Sequence, residues 1–236
     1  MILSVNRRLP VLLAVAVFVG ASTGCGGEDE AGPSPEDVVR ESVMATEAVK
    51  TFHFTIDSQG IPRSTSGLQL LGAEGDAVVP DRVRADVSGT FAGAPLTTQL
   101  VAIGDDVWIK DPLLGRWRKV DVGTTPAFLL DPVEGVLGVM RRVVELSDEG
   151  TEDVGGVETR RFHGTVDAAD VAPLVAVSPG EGQVEATLWI GEEDRVLRRV
   201  EVTGAVAGDE PEGALRVVEI SRIDEPVTIE RPEGAA

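Results

Sequence analysis

The hydrophobic pattern divides the chain into stretches of different period. Leu9–Gly20 is an unbroken apolar run behind Arg7 and Arg8. It falls short of the ~20 apolar residues a spanning helix needs. It suits an export signal, with a positive lead and small residues before a cleavage point. Further on, Val38, Val39, Val43, Met44 and Ala48 return every three or four residues. That spacing predicts an amphipathic helix over 35–50. Pro35 fits its first turn, and Glu36 and Asp37 follow where acidic groups meet the positive end of the helix.

Past residue 50 the period becomes two. Phe52, Phe54 and Ile56 alternate with His53 and Thr55. Val83, Ala85, Val87, Gly89 and Phe91 share one parity, and Arg82, Arg84, Asp86 and Ser88 share the other. A turn at 92–95 leads to Leu96, Thr98, Leu100 and Ala102, and Gly104-Asp105 to Val107 and Ile109. These are antiparallel strands in a meander, each with one apolar face. The middle of the chain differs. Phe128, Leu129 and Leu130 precede Asp131-Pro132, a helix-start pair, and Val133, Val136, Leu137 and Met140 follow. The pattern predicts two short apolar helices or one broken helix. Strands resume with "VETRRFHGTV", then a short helix in "DAADVAPLVAV" capped by Asp167. "QVEATLWIG", "RVLRRVEVTG", "ALRVVEISRI" and "PVTIE" continue as strands. About ten strands and three helical segments make this an α+β chain. A sheet with one apolar face needs a cover, and the cover here is a few short apolar helices. Both a filled core and a roomy apolar space between sheet and helices satisfy that pattern.

Charge narrows the partners. The chain carries 21 Lys+Arg against 40 Asp+Glu, a formal net charge of −19. No basic stripe offsets this, so nucleic acid is repelled, as are anionic lipid headgroups. Membrane attachment must then be covalent and apolar. Cys25 is the single cysteine, which excludes an internal disulfide and leaves stability to the core.

Cys25 ends "GASTGC", whose Gly20–Gly24 portion also fits the G-x-S-x-G nucleophile elbow. An elbow needs a buried strand before it and a helix after it. Here a signal-like run precedes it, and "GGEDEAGPSPED", with Pro33 and Pro35, follows. Ser22-Thr23-Gly24-Cys25 instead reads as a lipobox, with Ser22 where leucine is commonest; a plain secretory signal with a spare thiol is the alternative. The organisation is a signal peptide over 1–24, a lipidated Cys25 with a flexible tether over 25–35, a folded domain over 36–232 and a tail over 233–236. The tether reaches at most ~35 Å when extended.

Candidate chemistry is sparse. His53 and His163 lie on strands, neither with a second His or Cys at metal-ligand spacing. "DEGTED" (148–153) and "GEEDR" (191–195) read as solvated hairpin tips and do not match an EF-hand. No glycine-rich phosphate loop occurs. The expectation is no enzyme, no metal and no cofactor.

In order along the chain, "SGLQLLGAEGDAVV", "DDVWIKDPLLGRWRKV", "LLDPVEGVLGVM", "GVETRRFHGTV", "ATLWIGEEDRVLRRVEV" and "DEPVTIERPEG" resemble stretches of the LppX/LprG (LprAFG) lipoproteins, a family first known from mycobacteria. The resemblance covers roughly residues 35–232. It implies a strongly curved antiparallel half-barrel with helices on its concave face, enclosing an apolar cavity for acyl chains of lipids or glycolipids. It implies a monomer, lipid-anchored on the extracytoplasmic face of the cell membrane, that carries its cargo across the periplasm toward the outer envelope, with a lipid exporter as partner. The lipid would then face Val83, Ala85, Val87, Gly89, Phe91, Leu96, Thr98, Leu100 and Ala102, closed over by Leu129, Leu130, Val133, Val136, Leu137 and Met140. Other readings are an anchored sensor or chaperone-like half-barrel that binds protein segments or lipoprotein anchors, and an envelope hydrolase.

Overall fold

The computed structural model describes residues 32–62, 68–121, 132–175 and 177–235. The expected signal peptide, Cys25, Leu129, Leu130 and Asp131 lie outside them, as does the side chain of Val133.

Helix α1 (Pro35–Glu47) begins at Ser34, whose Oγ accepts a hydrogen bond from the Asp37 N–H at 3.2 Å. It stops short of residue 50. Its buried face is Val38, Val39, Ser42 and Thr46, while Met44 is 59% exposed. A hydroxyl replaces the expected methionine because it has a backbone to serve. Thr46 Oγ1 accepts the buried Leu197 N–H at 3.0 Å.

Eleven strands follow: β1 (Thr51–Gln59), β2 (Leu68–Val78), β3 (Arg82–Phe91), β4 (Ala94–Ile103), β5 (Asp106–Lys110), β6 (Trp117–Val120), β7 (Val144–Val154), β8 (Val157–Asp167), β9 (Gln183–Gly191), β10 (Leu197–Thr203) and β11 (Leu215–Ser221). Helix α2 (Pro132–Met140) lies between β6 and β7; α3 (Ala168–Val171) and a 3-10 turn (Ala172–Val175) follow β8. All strands join one antiparallel sheet in the order β6-β5-β4-β3-β2-β1-β11-β10-β9-β8-β7. Two meanders therefore meet where β1 pairs β11, from His53–Ser221 to Gln59–Leu215. The first and last strands form the middle of the sheet.

The strongly curved half-barrel does not form. The sheet is open, with β6 and β7 as its two edges, and is not strongly curled. Strong coiling needs bulges spread through the central ladders. The β1–β2, β1–β11, β3–β4 and β8–β9 registers run unbroken; shifts are confined to β2–β3, β9–β10 and the β7–β8 edge pair.

Three local expectations also change. The β3–β4 turn is only Ala92-Gly93, both at positive φ, and Pro95 sits in β4. "DEGTED" lies within β7, and the hairpin tip is Gly155-Gly156. "PVTIE" forms no ladder, because β11 is already flanked by β1 and β10. It packs Ile229, 1% exposed, against Val101 and Trp108 in a small second cluster.

Candidate functional site

Strand parity sorts the sheet into two faces. One carries Phe52, Phe54, Val83, Ala85, Val87, Leu100, Ala102, Phe162, Leu188 and Val200, all buried in one cluster with Val38, Val39, Val136, Leu137 and Met140 from the helices. Val83, Ala85, Val87, Leu100, Ala102, Val136, Leu137 and Met140 are thus brought together. Gly89, Leu96 and Thr98 are half-buried, and Phe91 is 61% exposed at the hairpin tip.

Beneath α2 this cluster leaves a cavity of about 50 Å³. Its floor is Ile56 of β1, Leu70 of β2, Val200 and Val202 of β10, and Arg216 and Val218 of β11; Gly135, Val136 and Val139 of α2 cover it, with Val171 and Leu174 beside them. Of the residues expected from the sequence, Val136 alone lines it among the described residues. The cavity lies over the β1–β11 seam, a pairing between the chain's ends that no local pattern announces. Ligand pockets usually run to ~300–1,000 Å³, so this space is small for a ligand. Its cover is held by apolar burial of Val136, Leu137, Val139 and Met140, with two ion pairs at its C-terminal end. Arg141 approaches Glu47 of α1 at 3.7 Å and Arg142 approaches Asp170 of α3 at 3.1 Å, all four side chains exposed. Such pairs contribute ~0–1 kcal/mol each.

The one charged residue in the lining is Arg216, its side chain 7% exposed. Its Nη2 donates to Glu210 Oε1, and Glu210 is 3% exposed. Glu210 Oε2 accepts the N–H groups of Val206 at 3.0 Å and Ala207 at 3.2 Å. Arg216 Nη1 is buried without a hydrogen-bond partner among the described residues. The sequence held one signal for this inward arginine: Arg216 shares its parity with Val218 and Ile220.

The opposite face carries the small apolar cluster of Val101 and Trp108 under Ile229 and, beside it, a polar region. A depression of about 360 Å³ is lined by His53, Glu74, Asp76, Arg84, Gln99 and Trp117, among others. Asp76 accepts from His53 Nδ1 and from Arg84, each at 3.0 Å. Burial pushes the Asp76 carboxyl up, but the His53 and Arg84 hydrogen bonds outweigh it and hold it below the ordinary value of 3.8. A carboxyl depressed by folding adds stability above its unfolded value and loses it as pH falls through the folded one. Asp76→Asn is therefore expected to cost about 1 kcal/mol at neutral pH and progressively less below pH 3.8. Urea unfolding at pH 7 and pH 3 checks this; an equal cost at both would contradict it. His163 Nδ1 meets Thr187 Oγ1 at 3.3 Å. No group of three His, Cys, Asp or Glu side chains placed to hold a metal occurs among the described residues.

Comparison with known proteins agrees with these elements. The sequence profile of the family described as LppX_LprAFG lipoprotein matches residues 34–229. The "Lipoarabinomannan carrier protein LprG" of Mycobacterium tuberculosis is 28% identical over 197 residues, covering 79% of this chain and 80% of that protein. The "Putative diacylated glycolipid transporter LprF" of the same organism is 26% identical over 203 residues, covering 76% and 74%. Among solved structures, LprF from Mycobacterium bovis superposes with a TM-score of 0.63 at 20% identity, over 86% of this chain and 99% of that one. Mycobacterium tuberculosis LppX gives 0.61 at 21% identity, over 85% and 100%. These two likenesses concern the fold.

Proposed function

Since the chain belongs to the LppX_LprAFG lipoprotein family, a family of non-catalytic lipid carriers in the cell envelope, we propose that it holds the acyl chains of a lipid or glycolipid between its sheet and α2. The observation that supports this most is the apolar cavity beneath α2, covered by a short helix of almost wholly apolar sequence. Each buried CH₂ contributes ~0.8 kcal/mol, so a long chain is gripped without a specific polar site. A space of about 50 Å³ admits an acyl chain only when α2 parts from the sheet. Val83, Ala85, Val87, Leu100 and Ala102 extend the apolar wall along β3 and β4. Chain length and number are then set by how much space opens.

Cys25 is the proposed lipidated terminus, holding the domain at the extracytoplasmic face while it passes cargo toward the outer envelope. The domain acts as a monomer beside a lipid exporter. One experiment addresses anchor and cargo together: expression of wild type and Cys25→Ala in the native host. Wild type should partition into detergent and Cys25→Ala into the soluble fraction. Mass spectrometry of the soluble variant should find acylated lipid at near one equivalent. A soluble wild type would rule out the anchor, and a lipid-free variant would count against the carrier.

A further inference from the structure

Arg216 is an unusual wall residue for an apolar cavity. A guanidinium offers five N–H donors and no acceptor, and its buried donors must find partners. Glu210 takes Nη2 and neutralises the charge, but Nη1 stays buried with no partner among the described residues. Glu210 has nothing further to give on that side. Its Oε1 faces Arg216, and its Oε2 is committed to the Val206 and Ala207 N–H groups. Among the described residues the rest of the lining is Val, Leu, Ile and Gly, whose side chains supply no acceptor.

We propose that, once α2 parts from the sheet, Arg216 Nη1, which is buried in the closed structure, donates a hydrogen bond to the carbonyl oxygen of an acyl ester, fixing where the head of the bound chain stops. This rests on the reading of the cavity as an acyl-chain site. The choice of a neutral carbonyl follows from charge. The Arg216–Glu210 pair is already balanced, so a carboxylate would bring a second negative charge beside Glu210 into a low-dielectric site. An ester accepts the same hydrogen bond and leaves the site neutral. The ligand class is therefore lipids that carry their chains as esters, ahead of free fatty acids and plain hydrocarbons.

The test uses the secreted Cys25→Ala chain, delipidated, with three probes of similar length: heptadecane, methyl palmitate and palmitic acid at pH 7. Wild type should bind methyl palmitate about tenfold tighter than heptadecane, the scale expected of one hydrogen bond from a charged donor, and palmitic acid no tighter than the ester. Arg216→Met alone strands Glu210 and is expected to fold poorly. The double variant Arg216→Met/Glu210→Met removes both charges and should bind ester and hydrocarbon equally. Equal binding of ester and hydrocarbon by wild type overturns the ester contact while leaving the carrier reading standing. An ester preference that survives in the double variant overturns it too. Failure of wild type to bind any of the three overturns the contact and the carrier reading together.

Discussion

Glu210→Ala is expected to lower the unfolding free energy by about 3–5 kcal/mol, the usual cost of stripping one partner from a buried ion pair. Both side chains are almost wholly out of solvent, so water cannot replace the lost carboxylate around Arg216. The Val206 and Ala207 N–H groups lose their acceptor as well. At roughly 2–4 °C per kcal/mol for a domain of this size, the melting temperature should fall by about 6–20 °C. Glu210→Gln keeps an acceptor for the backbone and removes only the charge, so it should fall in between. Arg216→Met/Glu210→Met should recover the part of the loss due to the orphaned charge, but not the part due to the Val206 and Ala207 N–H groups, which Met cannot serve. A Glu210→Ala loss below 1 kcal/mol in denaturant titration would show that solvent reaches the pair.

Val200→Phe should abolish most lipid binding while leaving the fold nearly unchanged. Val200 is 4% exposed and lines the cavity from β10, opposite Val218 of β11. A larger ring there fills a space of about 50 Å³. Filling a dry cavity of that size is worth up to ~1 kcal/mol at ~24 cal/mol per Å³, and the strain of tight packing offsets part of it. The melting temperature should therefore move by only a few degrees. Displacing even three methylenes of cargo costs about 2.4 kcal/mol, roughly a fiftyfold loss of affinity. Titration with a fluorescent long-chain ester reads this directly. Wild-type affinity in a folded Val200→Phe protein would mean that cargo does not pass beneath α2.

Local periodicity carried much of the architecture. Period two located most of the strands from Thr51 onward, and Pro35 with its acidic neighbours located α1. What periodicity could not supply was pairing between distant strands. Every strand of a meander is consistent with a curled or an open sheet, and only the β1–β11 seam and the edges at β6 and β7 decide which is built. The same gap moved the cavity. Parity placed Val83, Ala85 and Val87 on the inner face, as observed, yet the space beneath α2 lies over β1, β10 and β11 instead. β2 escaped the period-two reading because Gly72 and Gly75 interrupt its apolar alternation. Both glycines are needed there. A Cβ on Gly75 would meet the Arg84 carbonyl oxygen at 2.2 Å, and one on Gly72 would meet Ser88 Oγ at 2.9 Å. In "PVTIE" the alternation is present but the segment joins no ladder and instead packs Ile229 against Val101 and Trp108, so alternation alone overpredicted.

The seam between β1 and β11 also sets an order of events. A chain exported N-terminus first delivers β1 to β6 long before Leu215–Ser221 emerge, so β1 waits with one side of its backbone unpaired. Closing a loop of nearly the whole domain carries an entropic cost that grows only slowly with length. Contacts so distant in sequence nonetheless make folding slow, and the waiting edge is a template for pairing with another chain. The exposed period falls in the envelope, after translocation. Loss of the final strand would then be a different lesion from loss of β6 or β7: trimming an edge shortens the sheet, whereas a chain ending before Leu215 would leave two half-sheets with nothing between them.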